Sequence, residues 1–164
     1  MENPAGLFSR VSSKTTRYAS MLPLKDDSSD WFTVYRDLDL ARSGKANLLV
    51  VGTERLVLSL VGSLIADVKS DCMIQCRDGQ LRLPRTSSQS GIVVLRDVDA
   101  LKREEQRRFR DWLDSASKRV QVVSTASEPL LGLVAARAFD AALYYRLNAV
   151  YIDLTGERLS RSIY

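Results

Sequence analysis

The hydrophobic positions of residues 29–42 repeat with the period of a helix. Apolar side chains fall at i, i+3, i+4 and i+7, which places them in one stripe along a helical surface. Serine or aspartate at 28–30 can cap the start of this helix, and Gly44 can end it. We expect the stripe to pack into a core, and its members are Trp31, Val34, Tyr35, Leu38 and Ala41.

Beyond residue 45 the pattern changes to short, continuous apolar runs that alternate with helical segments. Runs without polar alternation predict strands that are buried on both faces, as in a parallel sheet covered by helices. Five such runs predict strands at Leu48–Val51, Cys72–Cys76, Ile92–Leu95, Val120–Ser124 and Ala149–Asp153. Helices are predicted from Thr53 to about Val68 and over 101–116, and residues 128–147 are predicted to be mostly helical. The expected fold is an α/β three-layer sandwich with a core that includes Leu49, Val51, Val93, Val94, Leu95, Val122 and Val123.

The domain organisation follows from length and composition. A chain of 164 residues is about one domain. Residues 1–28 are rich in serine and threonine with scattered cations, so we predict a flexible basic tail before a single domain at 29–164. Residues 78–90 have loop composition. The apolar stretch at 56–66 is too short to cross a bilayer, which needs ~20 residues, and we expect a cytoplasmic protein with no membrane contact.

Composition excludes several chemistries. The chain has no histidine, which removes His-based nucleophile activation, His general bases and His metal ligands. Cys72 and Cys76 lack further ligands nearby, so no metal site is predicted. The charge balance of 24 Lys and Arg against 20 Asp and Glu leaves +4, which permits a nucleic-acid partner without indicating one.

Two strand ends resemble nucleotide-site positions in placement but not in chemistry. The strand before Gly52 leads into a helix, where a phosphate-binding loop would need several glycines and a lysine. The sequence VVGTERLVLS has one glycine and no lysine. The strand before Arg96 and Asp97 would carry a magnesium-binding acid in an ATPase. A guanidinium at that place repels Mg²⁺, and a structural ion pair with Asp97 or another nearby acid is the favoured interpretation.

Two helical segments are candidate surfaces. Residues 101–119 carry seven Lys or Arg against four Asp or Glu, which we interpret as a solvated helix face rather than a phosphate site. Residues 138–154 interleave aromatic residues with an arginine, a pattern typical either of a partner surface or of aromatic core packing. The interaction candidates in this segment are Phe139, Tyr144, Tyr145 and Arg146.

The run LYYRLNAVYIDL at 143–154 resembles a signature of the AAA+ domain of sigma-54-dependent transcriptional activators. Residues 91–113 are similar to that family's Walker B strand and following helix, and NLLVVGTE is similar to its phosphate-loop strand. The resemblance covers about 40–154 and implies a P-loop NTPase-like fold. It also implies positions for a nucleotide site: Gly52, Thr53, Glu54, Arg96, Asp97 and Ser127.

Departures from the family pattern fall on those same positions. The glycine-rich loop and its lysine are missing after Gly52, Arg96 and Asp97 replace the Walker B acids, and Ser127 replaces the sensor asparagine. Only fourteen residues separate Cys76 from Gly91, where the family carries its sigma-contacting insert. The family's helical lid and DNA-binding segment are also expected to be lacking.

The function implied is therefore a non-catalytic AAA+ module. We expect no enzyme activity and no cofactor, and action through protein contacts in transcriptional regulation, with a second copy or an active AAA+ relative as partner. One alternative is a nucleotide-binding switch rebuilt around Arg55, Arg96 and Asp97. A weaker one is DNA or RNA binding through the tail and 102–119.

Arg146 is the residue of most interest under the first reading. Of the family's two arginines beside the tyrosine pair, the first is Asp140 here and the second is retained as Arg146. Arg146 is expected either to contact a partner or to form an internal ion pair with Asp140 or Asp153.

Overall fold

The computed structural model describes residues 29–65, 72–75, 91–116 and 120–156, together with Leu81 and Leu83. The tail at 1–28, Cys76 and most of the loop at 78–90 lie outside the described residues. The helices are α1 (Ser29–Gly44), α2 (Glu54–Ile65), α3 (Arg103–Ser115), α4 (Leu130–Ala135) and α5 (Ala141–Leu147). The strands are β1 (Leu48–Val51), β2 (Cys72–Gln75), β3 (Gly91–Arg96), β4 (Val120–Ala126) and β5 (Val150–Asp153).

The five strands form one parallel sheet in the order β2-β3-β4-β1-β5. The predicted parallel α/β fold is thereby confirmed. The register places Val51 beside both Ala126 and Asp153, so the carboxyl ends of β1, β4 and β5 meet at one edge. Arg96 ends β3 at this same edge, because β3 is the next neighbour of β4.

Alternate residues of each central strand enter different cores, which is why the strands read as continuous apolar runs. Leu48 and Val50 pack with the apolar faces of α1 and α2. Leu49 and Val51 pack on the opposite side of the sheet with α3 and α5. All of the core residues predicted from the sequence are buried. The result is the expected three-layer arrangement.

The start of α3 differs from the prediction. Leu101 does not belong to the helix; it is a buried extended residue that follows a 3₁₀ turn at Val98–Ala100. The helix begins at Arg103, where the buried Glu105 carboxylate accepts hydrogen bonds from the backbone N–H groups of Lys102 (3.0 Å) and Leu81 (3.1 Å). These bonds satisfy a donor at the helix start and secure the chain near Leu81.

Residues 128–147 are mostly helical, as predicted, but the chain forms two short helices there with a break at 136–140. Arg137 adopts a left-handed conformation with φ 59°, which ends the first helix. Asp140 then begins the second, since its side chain accepts a hydrogen bond from the backbone N–H of Leu143 at 2.7 Å. The break turns Phe139 into the core.

Within the described part of the chain, no helix has the length and apolar character needed to cross a bilayer.

Candidate functional site

The residues predicted at the nucleotide-site positions do come together at the carboxyl edge of the sheet. Gly52, Glu54, Arg96, Asp97 and Ser127 line one cavity of about 40 Å³. Thr53 is exposed beside it, between β1 and α2. Parallel strands end on the same side of a sheet, and this edge is where α/β folds place their ligands. The described residues hold no group of three or more Cys, Asp or Glu side chains arranged for a metal ion.

An ion pair closes this cavity. Arg96 at the end of β3 reaches the first residue of α2, where its Nη2 atom lies 2.5 Å from Glu54 Oε1. The sequence had offered Asp97 or another nearby acid as the partner, and the structure selects Glu54. The arginine side chain is 14% exposed and the glutamate side chain 74%, so a largely buried arginine pairs with an acid at the surface.

Gly52 has a packing reason to be glycine. A Cβ atom at this position would lie 2.8 Å from the Cβ of Leu154, which follows β5. The backbone of Gly52 also donates to the carbonyl of Ala126 at 3.1 Å, while Leu154 donates to Val51 at 2.7 Å. The turn after β1 is thus held close to the segment that follows β5, and the glycine permits that contact rather than a loop around phosphate.

The remaining polar residues of the edge bond to one another. The backbone N–H of Asp97, a residue with φ 56°, donates to Thr125 Oγ1 at 3.2 Å. Ser127, at the sensor position, donates from its hydroxyl and its backbone N–H to the carboxylate of Asp99. Sequence reasoning missed Thr125 and Asp99. Thr125 lies near the end of β4 and Asp99 in the turn after β3, and which pairs form depends on the register of the two strands.

The rebuilt switch would need Arg55 to point into this site. Arg55 is exposed and is not among the described residues that line the cavity. The structure therefore brings Arg96 and Asp97 together without the third residue of that hypothesis.

The four interaction candidates divide into two groups. Phe139 and Tyr144 are buried against the core on the α3 side of the sheet, so they cannot meet a partner in this conformation. Tyr145 is 70% exposed and stacks edge-on against Tyr144, with ring centroids 5.3 Å apart. Arg146 is exposed as well. Of the four candidates, Tyr145 and Arg146 remain available to a partner on α5.

The prediction that an internal ion pair of Arg146 would involve Asp140 or Asp153 was wrong. Its guanidinium pairs with Asp114 of α3, and not with Asp140 or Asp153. Asp140 instead accepts a hydrogen bond from Arg110 Nη1 at 2.8 Å. Asp153 accepts from the hydroxyl of Tyr151 at 3.2 Å and from the backbone N–H of Thr155 at 2.8 Å.

The hydroxyl of Tyr151 has a raised pKa. Burial is the larger cause and the neighbouring Asp153 carboxylate the second, and together they raise the pKa of Tyr151 to about 12.

Comparison with known proteins adds a family. A family model described as "Sigma-54 interaction domain" matches residues 27–156. No curated protein has a sequence that matches this chain significantly.

Solved structures add the fold. The chain is 17% identical to NtrX from Brucella abortus in complex with ATP, with a TM-score of 0.61, covering 88% of this chain and 40% of that one. The ADP complex of the same protein gives 18% identity, the same coverage and a TM-score of 0.63. The P-loop NTPase domain of a sigma-54 activator from E. coli is 16% identical with a TM-score of 0.51, covering 72% of this chain and 97% of that one. The chain thus spans about two fifths of the NtrX structures.

Proposed function

The chain belongs to the sigma-54 interaction domain family, and on that premise we propose that it is a AAA+ module that does not hydrolyse ATP and acts through contacts with proteins. The regulation of transcription is the process in which the family suggests those contacts. The observation that carries the proposal is the ion pair between Arg96 and Glu54, two residues at the predicted nucleotide-site positions.

The electrostatics of the site support this proposal. Phosphoryl transfer depends on positioning and on a divalent cation that neutralises the transferred phosphate. At the end of β3 the chain presents a largely buried guanidinium, whose charge opposes cation binding. At the start of α2 it presents the Glu54 carboxylate, which competes with phosphate for the helix N-terminus.

The space in the site supports it as well. Small-molecule sites usually enclose ~300–1,000 Å³, whereas the cavity at this edge measures about 40 Å³. The structures of NtrX contain ATP and ADP, but the similarity of NtrX to this chain extends only to the fold. Nucleotide entry here would require the ion pair to break and Arg96 to move out of the interior.

Calorimetry with millimolar Mg-ATP, together with an assay of phosphate release, tests the proposal that the chain does not hydrolyse ATP. We expect no saturable heat and no phosphate release. Arg96→Asp should not restore turnover, because Gly52 is held against Leu154 and no phosphate loop is present. Micromolar affinity for Mg-ATP would overturn the proposal, and its loss in Arg96→Gln but not in Arg55→Gln would assign the binding to this site.

The protein-contact part concerns Tyr145 and Arg146 on α5. Tyrosine and arginine are both enriched in interface hot spots, and the partner is either a second copy of the chain or an active AAA+ relative. Sedimentation of the chain alone and mixed with an active relative from the same host tests this.

The matched variants for that measurement lie on different helices. Tyr145→Ser should weaken association about tenfold or more, while Leu40→Ser on α1, which also removes an exposed apolar side chain, should not. Equal effects of the two variants, or no association with either partner, would contradict the assignment of the contact to α5.

A further inference from the structure

A cavity of about 410 Å³ opens between α3 and the segment that links α4 to α5. It is separate from the nucleotide-site positions, since its lining shares no described residue with the cavity at the sheet edge. Arg103, Gln106, Arg107 and Arg110 line one wall, and their spacing places them along one face of α3. The opposite wall runs from Val134 to Ala141.

The cavity is strongly cationic. Four of its described lining residues are arginines, Arg103, Arg107, Arg110 and Arg137, and one, Asp140, is acidic. Asp140 offsets Arg110, whose Nε atom also lies 4.0 Å from Asp111 Oδ1 outside the cavity lining. The lining therefore carries a net positive charge that nothing in the established fold requires.

The two walls are held in a defined relation. The buried Gln106 amide donates to the carbonyls of Leu101 (2.8 Å) and Ala138 (3.0 Å), and its Oε1 accepts from the backbone N–H of Asp140 (2.8 Å). Arg103 Nη2 donates to the carbonyl of Arg137 at 2.9 Å. These bonds span the gap and orient the Arg103 guanidinium before any ligand arrives, and Asp140 does the same for Arg110, which lowers the entropy cost of binding.

Arg137 is the least expected residue in the lining. Its φ of 59° is a conformation in which glycine is favoured and a long side chain is strained. A glycine would end α4 at lower cost, as it does in many helices. The chain instead places a cation there, at the rim of a cavity that holds three further cations.

From these observations we infer that this cavity binds a small molecule carrying a phosphate group. The guanidinium fork matches phosphate oxygens with two bonds at once. A phosphate ester brings close to two negative charges, which suits the net charge of the lining. Val134, Ala138 and Phe139 provide apolar surface for the organic part of the ligand, and the volume lies in the range usual for such sites.

Calorimetry and thermal melting of the full chain with pyrophosphate, inorganic phosphate and citrate at constant ionic strength test this site. We expect pyrophosphate to bind saturably and to raise the melting temperature, and citrate to bind at least about tenfold more weakly. Arg107→Gln should weaken pyrophosphate binding about tenfold. Arg108→Gln is the control: it removes the same charge from the same helix but lies outside the lining.

Two further variants separate the site from general electrostatics and from misfolding. Asp140→Asn should tighten pyrophosphate binding, because it removes the one acid of the described lining. Arg137→Gly should weaken binding while leaving the chain at least as thermostable, because glycine relaxes the backbone at that residue.

Three outcomes would overturn the inference. The first is an absence of saturable pyrophosphate binding at concentrations up to about 10 mM. The second is an equal loss of pyrophosphate affinity in Arg107→Gln and Arg108→Gln. The third is preferential binding of duplex DNA that depends on Arg107 while pyrophosphate does not compete, which would assign the arginines to a nucleic-acid surface.

Discussion

Asp140 joins α3 to α5, and its replacement is the sharpest test of how these two helices are held together. Its Oδ1 caps α5 by accepting from the backbone N–H of Leu143 at 2.7 Å. Its Oδ2 pairs with Arg110 of α3 at 2.8 Å, with both side chains about one-third exposed. Its own backbone N–H donates to Gln106. Only the first two of these bonds depend on the carboxylate.

The magnitude follows from those two bonds. Loss of an N-cap costs about 1 kcal/mol, and loss of a partly exposed ion pair costs about 1 kcal/mol more. We therefore expect Asp140→Ala to lower the free energy of unfolding by about 2 kcal/mol. Asp140→Asn should lower it by about 1 kcal/mol, since asparagine caps a helix as well as aspartate. Asp140→Arg should be the worst of the three because it places a cation beside Arg110.

Urea unfolding in phosphate-free buffer, followed by the fluorescence of Trp31 and Trp112, measures these differences. A change of 2 kcal/mol corresponds to a melting shift of roughly 4–8 °C in a chain of this size. A double-mutant cycle of Asp140→Asn with Arg110→Gln should return a coupling of about 1 kcal/mol. The reasoning is refuted if Asp140→Ala is within 0.5 kcal/mol of the parent chain, or if Asn and Ala are equally destabilising, since the cap would then contribute nothing.

Three further changes probe other parts of the molecule. Val94→Asp should prevent soluble folding, because an isolated charge in the core on the α1 side costs several kcal/mol against a total stability of ~5–15; a soluble variant that melts cooperatively would contradict the strand placement. Arg146→Ala should change the unfolding free energy by less than about 1 kcal/mol, since its bridge to Asp114 is at the surface; a larger loss in calorimetry would make this arginine structural rather than available to a partner. Burial raises the pKa of Tyr35 to about 12 from 10.0. The folded state therefore holds this proton where the unfolded state has released it, so stability should fall as pH rises from 10 to 12; alkaline titration of Tyr35→Phe should show a shallower fall, and an unchanged slope would show that Tyr35 is not responsible.

The central strand β1 could be predicted from the sequence alone, because a parallel strand buried on both faces is typically a continuous apolar run. Leu48–Val51 shows this pattern without needing its neighbours to be known. The helical stripe from Trp31 to Leu38 is equally local, and all of its members are buried. The run at 143–154 indicated the protein family, and the family-model match over residues 27–156 confirms it.

The ion pairs and the helix break were decided by the tertiary structure. Glu54 and Arg96 are distant in sequence, and they meet because β1 and β3 flank β4 with their carboxyl ends aligned. Arg146 meets Asp114 because α5 packs across α3. In each case the sequence shows a charge but not which opposite charge is within reach, since that distance depends on how elements far apart in the chain are stacked.

The same limit applies to the two sites. The position of the break within 128–147 was not predicted, because the segment around Arg137 and Asp140 is held by hydrogen bonds to α3 as well as by local propensity. Four arginines from two separate segments then surround one cavity. Local patterns determine which segments are buried, whereas the placement of charges around a space depends on long-range packing, which a single sequence does not display.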